Sequence, residues 1–185
     1  MKKAKKSPVK VKNKIRIKTQ GFPKRLKGAK NIAEIFELVK DAVSSTMGHQ
    51  RAGLMLGLTE IAESEKKFVS GFHPIGSNFI IINKTPLERI MKTNKKLYQA
   101  YVFHVLLREY IHTFGILDED VTRNNVKQIS KALFGKEHIV TALSTKFNKF
   151  FPYIVYSDVN EEFNQENKGI EMVDNFDSSN VSYLR

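Results

Sequence analysis

The sequence predicts an α+β domain, and three stretches carry that expectation. Residues 94–114 are apolar around nearly the whole helical circumference, as a helix buried on every side requires. Phe79-Ile80-Ile81-Ile82 is a continuous aromatic and β-branched run, the pattern of a strand covered on both faces. Between Ile32 and Val43, the apolar residues Ile32, Ile35, Phe36, Val39 and Val43 recur at helical spacing and leave a polar face for solvent. A chain of 185 residues that is 41% hydrophobic is long enough for one such core with tails.

Residues 1–30 hold 13 Lys and Arg and no acid, the first carboxylate being Glu34. Residues 1–10 have too few apolar side chains to offset the entropy of ordering, so this basic arm is expected to be disordered. Residues 11–18 alternate apolar and basic side chains, which suits either an edge strand or an extended segment on a polyanion. Residues 21–28 read as a linker. Asn31 with Glu34 three residues on opens the first helix in capping-box fashion, and Gly48 closes it. Residues 51–61, apolar with two glycines, read as a strand or a tightly packed turn, and 62–67 as a charged turn.

Residues 68–72 and 79–82 are expected as two strands, separated by His73-Pro74-Ile75-Gly76-Ser77-Asn78. Thr85-Pro86-Leu87-Glu88 places a capping threonine before a proline and a glutamate, starting a short helix to about Lys92. The central helix follows, with Gly115 at its end. Two more helices are expected at residues 121–134, stopped by Gly135, and 136–150, stopped before Pro152. From residue 157 the chain carries seven acids against two bases and reads as a flexible acidic tail. The organisation is thus a basic arm (1–30), a globular domain (31–156) and an acidic tail (157–185).

The net charge of +12 belongs to the arm, because residues 31–185 carry 18 bases against 19 acids. The chain has no cysteine, which excludes disulfides and thiolate metal sites. It has no transmembrane segment, since no apolar run approaches the roughly 18–20 residues that cross a bilayer. No apolar segment follows the basic N-terminus as a secretion signal requires, so a soluble cytoplasmic protein is expected. Ser44-Ser45 has no base near it in sequence, and there is no phosphate-binding glycine loop.

Charge on a buried helix demands an explanation. His104, Arg108 and His112 form one stripe of the central helix, each about one turn from the next at roughly 100° per residue. A buried arginine must meet a carboxylate or reach water. Zinc peptidases place two histidines at i and i+4 so that both imidazoles reach one ion, with a glutamate after the first acting on the metal-bound water. In one branch a glycine follows the second histidine by three residues, and a His or Asp three further on is the third ligand. Here the chain reads Arg108-Glu109-Tyr110-Ile111-His112-Thr113-Phe114-Gly115-Ile116-Leu117-Asp118.

The segment from Arg51 to Glu119 resembles a small zincin-type metallopeptidase, of the minimal sort found in archaea. The resemblance implies a zincin-like α+β fold over residues 31–156: a small mixed sheet packed on a buried active-site helix, with further C-terminal helices. It implies zinc as cofactor, a peptide or protein substrate, His112 and Asp118 as metal ligands, Glu109 as general base and Gly115 as the turn residue. Arg108 stands where the first ligand belongs, and a guanidinium stays protonated and cannot coordinate zinc. His104 lies two turns from His112, about 12 Å along the axis, too far for both to close on one ion. The motif is therefore degenerate. Either a divergent metallopeptidase survives, or Arg108 takes the metal position and pairs with Asp118 or Glu109, leaving a domain inactive as a peptidase.

Other candidates have two readings each. His73 borders a cleft or is a turn histidine; His104 is a ligand or a hydrogen-bonded core residue; Tyr101 and Tyr110 polarise a carbonyl or simply fill the core. The arm offers Lys2, Lys3, Lys5, Lys6, Lys10, Lys12, Lys14, Arg16, Lys18, Lys24 and Arg25 for contact with RNA, DNA or the ribosome. Its single aromatic, Phe22, gives little basis for stacking on bases, so phosphate contact is the expected mode. A non-catalytic nucleic-acid or ribonucleoprotein-binding role is the alternative to hydrolysis.

Overall fold

The computed structural model describes residues 21–64, 67–155 and 169–177. Residues 11–18, expected as an edge strand or an extended segment, and most of the expected basic arm lie outside them. The elements in chain order are α1 (Phe22–Gly28), α2 (Ile32–Met47), β1 (Met55–Thr59), β2 (Ala62–Ser64), β3 (Lys67–Val69), β4 (Gly71–Phe72) and β5 (Phe79–Asn83). They continue with α3 (Lys84–Thr93), α4 (Lys95–His112), α5 (Glu119–Phe134), α6 (Ile139–Phe150), β6 (Ile154–Val155) and β7 (Glu171–Met172). The α+β expectation holds.

The main sheet has the order β4-β5-β1-β7. β1 and β5 pair in parallel with Leu56 opposite Ile80, while β4 and β7 run antiparallel on the two edges. Ile80, Ile81 and Ile82 are fully buried, as the apolar run predicts. A second sheet has the order β2-β3-β6. The expected single strand at 68–72 is thus two: β3 pairs with β2 and β6, and β4 joins β5. Part of the expected charged turn, 62–64, is strand β2.

α4 is the centre of the molecule. It touches α1, α2, α3, α5, α6 and both β4 and β5, and residues Gln99 to His112 are all buried. Asn94 starts it by accepting from the amides of Lys96 and Leu97. Its approach to the sheet depends on Gly71, where a Cβ would stand 2.6 Å from the Ile81 carbonyl oxygen and 3.4 Å from Val105.

Caps follow the sequence with one correction. Asn31 accepts from the Glu34 amide at 2.8 Å, and Gly48 closes α2 at a φ of 73°. α3 is capped by Asn83 rather than Thr85. The fully buried Asn83 side chain accepts from the amides of Thr85 and Ile61 and donates to the carbonyls of Ile61 and Val69, tying the β2–β3 hairpin to the helix start.

Two segments read as unstructured are folded. Residues 22–28, expected as linker, form α1, because Phe22 and Leu26 are one turn apart and both enter the core. Phe22 meets Phe134 edge-on at 6.0 Å between centroids. Residues 169–177, expected as part of the acidic tail, pass β7 along β1, stack Phe176 on Phe36 at 4.0 Å, and bury Asp177 against Lys40 at 2.6 Å. Their net acidity concealed the two residues that dock them.

Candidate functional site

Three segments converge at the C-terminal end of α4: the helix's own Arg108, Glu109 and His112, the loop after β4 that carries His73, and the start of α5 with Glu119. Arg51 fixes this arrangement. Its guanidinium donates to the carbonyl oxygens of Thr113 and, at 2.8 Å, Ser77, joining the helix end to the 73–78 loop. The Tyr110 hydroxyl donates to the Arg51 carbonyl at 3.0 Å and accepts from its amide at 2.9 Å, so that phenol is engaged by backbone.

Arg108 is 4% exposed. One terminal nitrogen donates to Glu109 Oε1 and the other to Glu119 Oε2 at 2.8 Å. Of the two pairings open to Arg108 from sequence, the one with Glu109 is present. Burial pushes the Glu109 carboxyl up to about 7, against the pull of the Arg108 charge. The same burial would lower Arg108, but Glu109 and Glu119 together outweigh it and its pKa is raised, so the guanidinium keeps its charge. Glu109 Oε2 is buried and makes no hydrogen bond of normal geometry among the described residues.

His112 follows from the turn that Gly115 permits. Gly115 takes a φ of 79°, and its amide donates to the His112 carbonyl at 2.9 Å, as the turn residue was expected to allow. The chain then brings the Ile116 carbonyl back to His112, which donates to it from Nδ1 at 2.7 Å. With the proton assigned to Nδ1, the lone pair is on Nε2. That Nε2 is buried, lies 4.0 Å from Glu119 Oε2, and makes no hydrogen bond among the described residues. Burial first, and the Arg108 charge second, hold the His112 pKa below its ordinary value.

His73 lies buried in the loop after β4. It donates from Nδ1 to the Phe79 carbonyl at 2.7 Å, and burial lowers its pKa, with the Arg51 charge adding to the effect. A proton on His73 would further disfavour one on His112, and the His73 backbone favours the charged form of Glu109 against its burial. His104 faces elsewhere: it stacks on Phe147 of α6 at 5.0 Å, and burial, then Arg108, push its pKa down to about 3. It is a neutral core residue.

Asp118 is exposed and accepts from the Val121 amide at 2.9 Å, capping α5. The carboxylate beside His112 is that of Glu119, one residue on. Sequence reasoning missed both Glu119 and Arg51, because Asp118-Glu119-Asp120 offers three adjacent acids and only the turn geometry decides which faces inward. Of the arm residues, Lys24 and Arg25 are exposed on the folded helix α1, where Arg25 pairs with Asp41 at 2.5 Å. The other nine lie outside the described residues.

These side chains do not fit a zinc ion. Arg108, which the resemblance sets at the place of the first ligand, is a cation that donates hydrogen bonds, and both nearby carboxylates already accept from it. Among the described residues no group of three His, Asp or Glu is close enough to hold a metal. The arrangement supplies a buried positive charge, two carboxylates around it, and a neutral imidazole presenting a lone pair. No helix of the described residues is long and apolar enough to cross a membrane.

A family model described as zincin-like metallopeptidase matches residues 31–127, from the cap of α2 to the first half of α5. No curated protein and no solved structure matches the chain.

Proposed function

The chain belongs to the zincin-like metallopeptidase family, and from that membership we propose that it keeps the family's frame without zinc-dependent peptidase activity. One observation carries the reading. Arg108, on the helix that bears the motif, is buried and shared by Glu109 and Glu119. A permanently charged guanidinium repels a divalent cation and occupies the general base, so neither a metal nor an activating carboxylate is free to act on water. The test is peptidase activity on an unstructured protein substrate with and without added zinc. The native chain is expected to be inactive under both conditions. Zinc-dependent cleavage abolished by Glu109→Gln would overturn the proposal.

A second reading supplies a role for such a domain. Nine Lys and Arg and no acid lie in residues 1–20, and Lys24, Lys27 and Lys30 are exposed on or beside α1. This charge run favours binding to RNA, DNA or a ribonucleoprotein through phosphates, with the zincin-like domain as the carrier. Because α1 is part of the core, the informative truncation removes residues 1–20 only. For duplex DNA, every phosphate that the arm neutralises should add about 0.9 to the steepness of log K against log salt, so the truncated chain should show a shallower slope. Binding and salt slope unchanged by the truncation would eliminate this role.

A further inference from the structure

We propose that Glu119, rather than Asp118, is the carboxylate of the metal position in this chain, and that Arg108 and a divalent metal are mutually exclusive occupants of that position. The inference rests on the reading of Arg108 given above and deepens it. Two observations support it independently. Glu119 Oε2 lies 2.8 Å from an Arg108 nitrogen and 4.0 Å from His112 Nε2, so one oxygen faces both motif positions. Separately, His112 Nε2 is an acceptor on a side chain only 3% exposed, left without a hydrogen bond among the described residues and held in the tautomer a metal ligand needs.

The reach of Glu119 and the hydrogen bond held by Asp118 separate the two acids. Zinc bonds of about 2.1 Å at a tetrahedral angle place neighbouring ligand atoms about 3.4 Å apart. Glu119 and His112 are within roughly 0.6 Å of that separation, a shift that a partly exposed glutamate reaches by small side-chain rotations. Asp118 is committed to the amide of Val121, and its loss from the cap would expose an orphan donor of α5. The chain thus divides two adjacent acids between a structural task and the site. Substituting the one residue that carries the competing charge should open the position to metal.

The experiment compares zinc binding, by calorimetric titration with zinc chloride and by elemental analysis, in full-length protein carrying Arg108→His. Stoichiometric zinc and a zinc-dependent rise in Tm are expected. Adding Glu119→Gln should weaken zinc affinity by more than about 100-fold, whereas adding Asp118→Asn, which preserves the cap, should change it by less than about tenfold. Loss of zinc on Asp118→Asn with retention on Glu119→Gln would overturn the assignment of Glu119. Failure of folded Arg108→His to take up zinc would overturn the mutual exclusion.

Should Arg108→His not fold, the single variants in the native background still decide the assignment. Glu119→Gln lowers Tm by several degrees and Asp118→Asn leaves it near native; equal effects would overturn the placement of Glu119. Stoichiometric zinc on the unaltered chain, by contrast, would defeat the proposed function itself, so the two failures are distinguishable.

Discussion

Two buried ion clusters in this molecule differ in how completely they are satisfied. Around Lys40, the amine reaches Glu37 at 2.7 Å and Asp177 at 2.6 Å, and the second oxygen of Asp177 accepts from the Leu54 amide at 3.2 Å. Around Arg108, the guanidinium reaches Glu109 and Glu119, but Glu109 Oε2 and His112 Nε2 remain buried acceptors without hydrogen bonds of normal geometry among the described residues. The first cluster joins sequence-distant segments and uses both carboxylate oxygens of Asp177, which is how a fastener is built. The second lies almost wholly within one turn of α4 and its successor, and retains acceptors that packing alone does not require.

That difference sets an order of expected effects. Asp177→Ala should have the largest, costing about 3–5 kcal/mol in denaturant unfolding, because it leaves the Lys40 amine with Glu37 alone, takes the side-chain acceptor from the Leu54 amide and releases β7 and Phe176 with it. A loss below about 1 kcal/mol would show that the C-terminal segment is not a fastener. Glu119→Gln should cost less, about 1–3 kcal/mol, since its side chain is 34% exposed and Glu109 still accepts from Arg108. Smaller still is the paired change Arg108→Met with Glu109→Gln, expected within about 1.5 kcal/mol of native, because it removes both members of the buried pair and leaves only Glu119, which is partly exposed and which Arg123 reaches at 3.7 Å. If that double variant is as unstable as Asp177→Ala, both clusters are structural and the contrast fails.

The pH dependence sharpens the same contrast. His73, His104, His112 and His138 have lowered pKa values, so the stability they contribute is present above the ordinary histidine range and is lost as pH falls. Glu109, raised from 4.5 to about 7, acts in the opposite sense: its contribution is present below pH 4.5 and lost as pH rises through about 7. Each full proton difference changes stability by about 1.4 kcal/mol per pH unit. Between pH 6.5 and 4.5 four histidines oppose the one carboxyl, and the fold is expected to weaken on acidification. Glu109→Gln should steepen that loss, as measured by Tm across the range; an unchanged slope would show that Glu109 is not proton-loaded by burial.

How much was legible in the sequence follows from where the controlling forces lie. The runs that make α4 and β5 are local patterns of apolar residues, and both elements stand where those patterns place them. The places of Glu109, His112 and Gly115 were equally legible, because they depend on spacing along one helix and its exit turn. Glu119 was not, since three consecutive acids differ only in the phase of a turn. Nor was Arg51, whose partners Thr113 and Ser77 are brought to it by tertiary packing. The linker reading of α1 and the tail reading of residues 169–177 failed for a shared reason. Their net charge dominated the composition, while one or two apolar residues in each, Phe22 with Leu26 and Phe176, decided the docking.

A guanidinium is proposed to hold the position where this family typically places zinc. Elemental analysis of the full-length native chain, purified without chelator and dialysed after exposure to zinc, tests it most directly. Sub-stoichiometric zinc, unchanged by His112→Ala, is the predicted result; stoichiometric zinc that His112→Ala removes would contradict it.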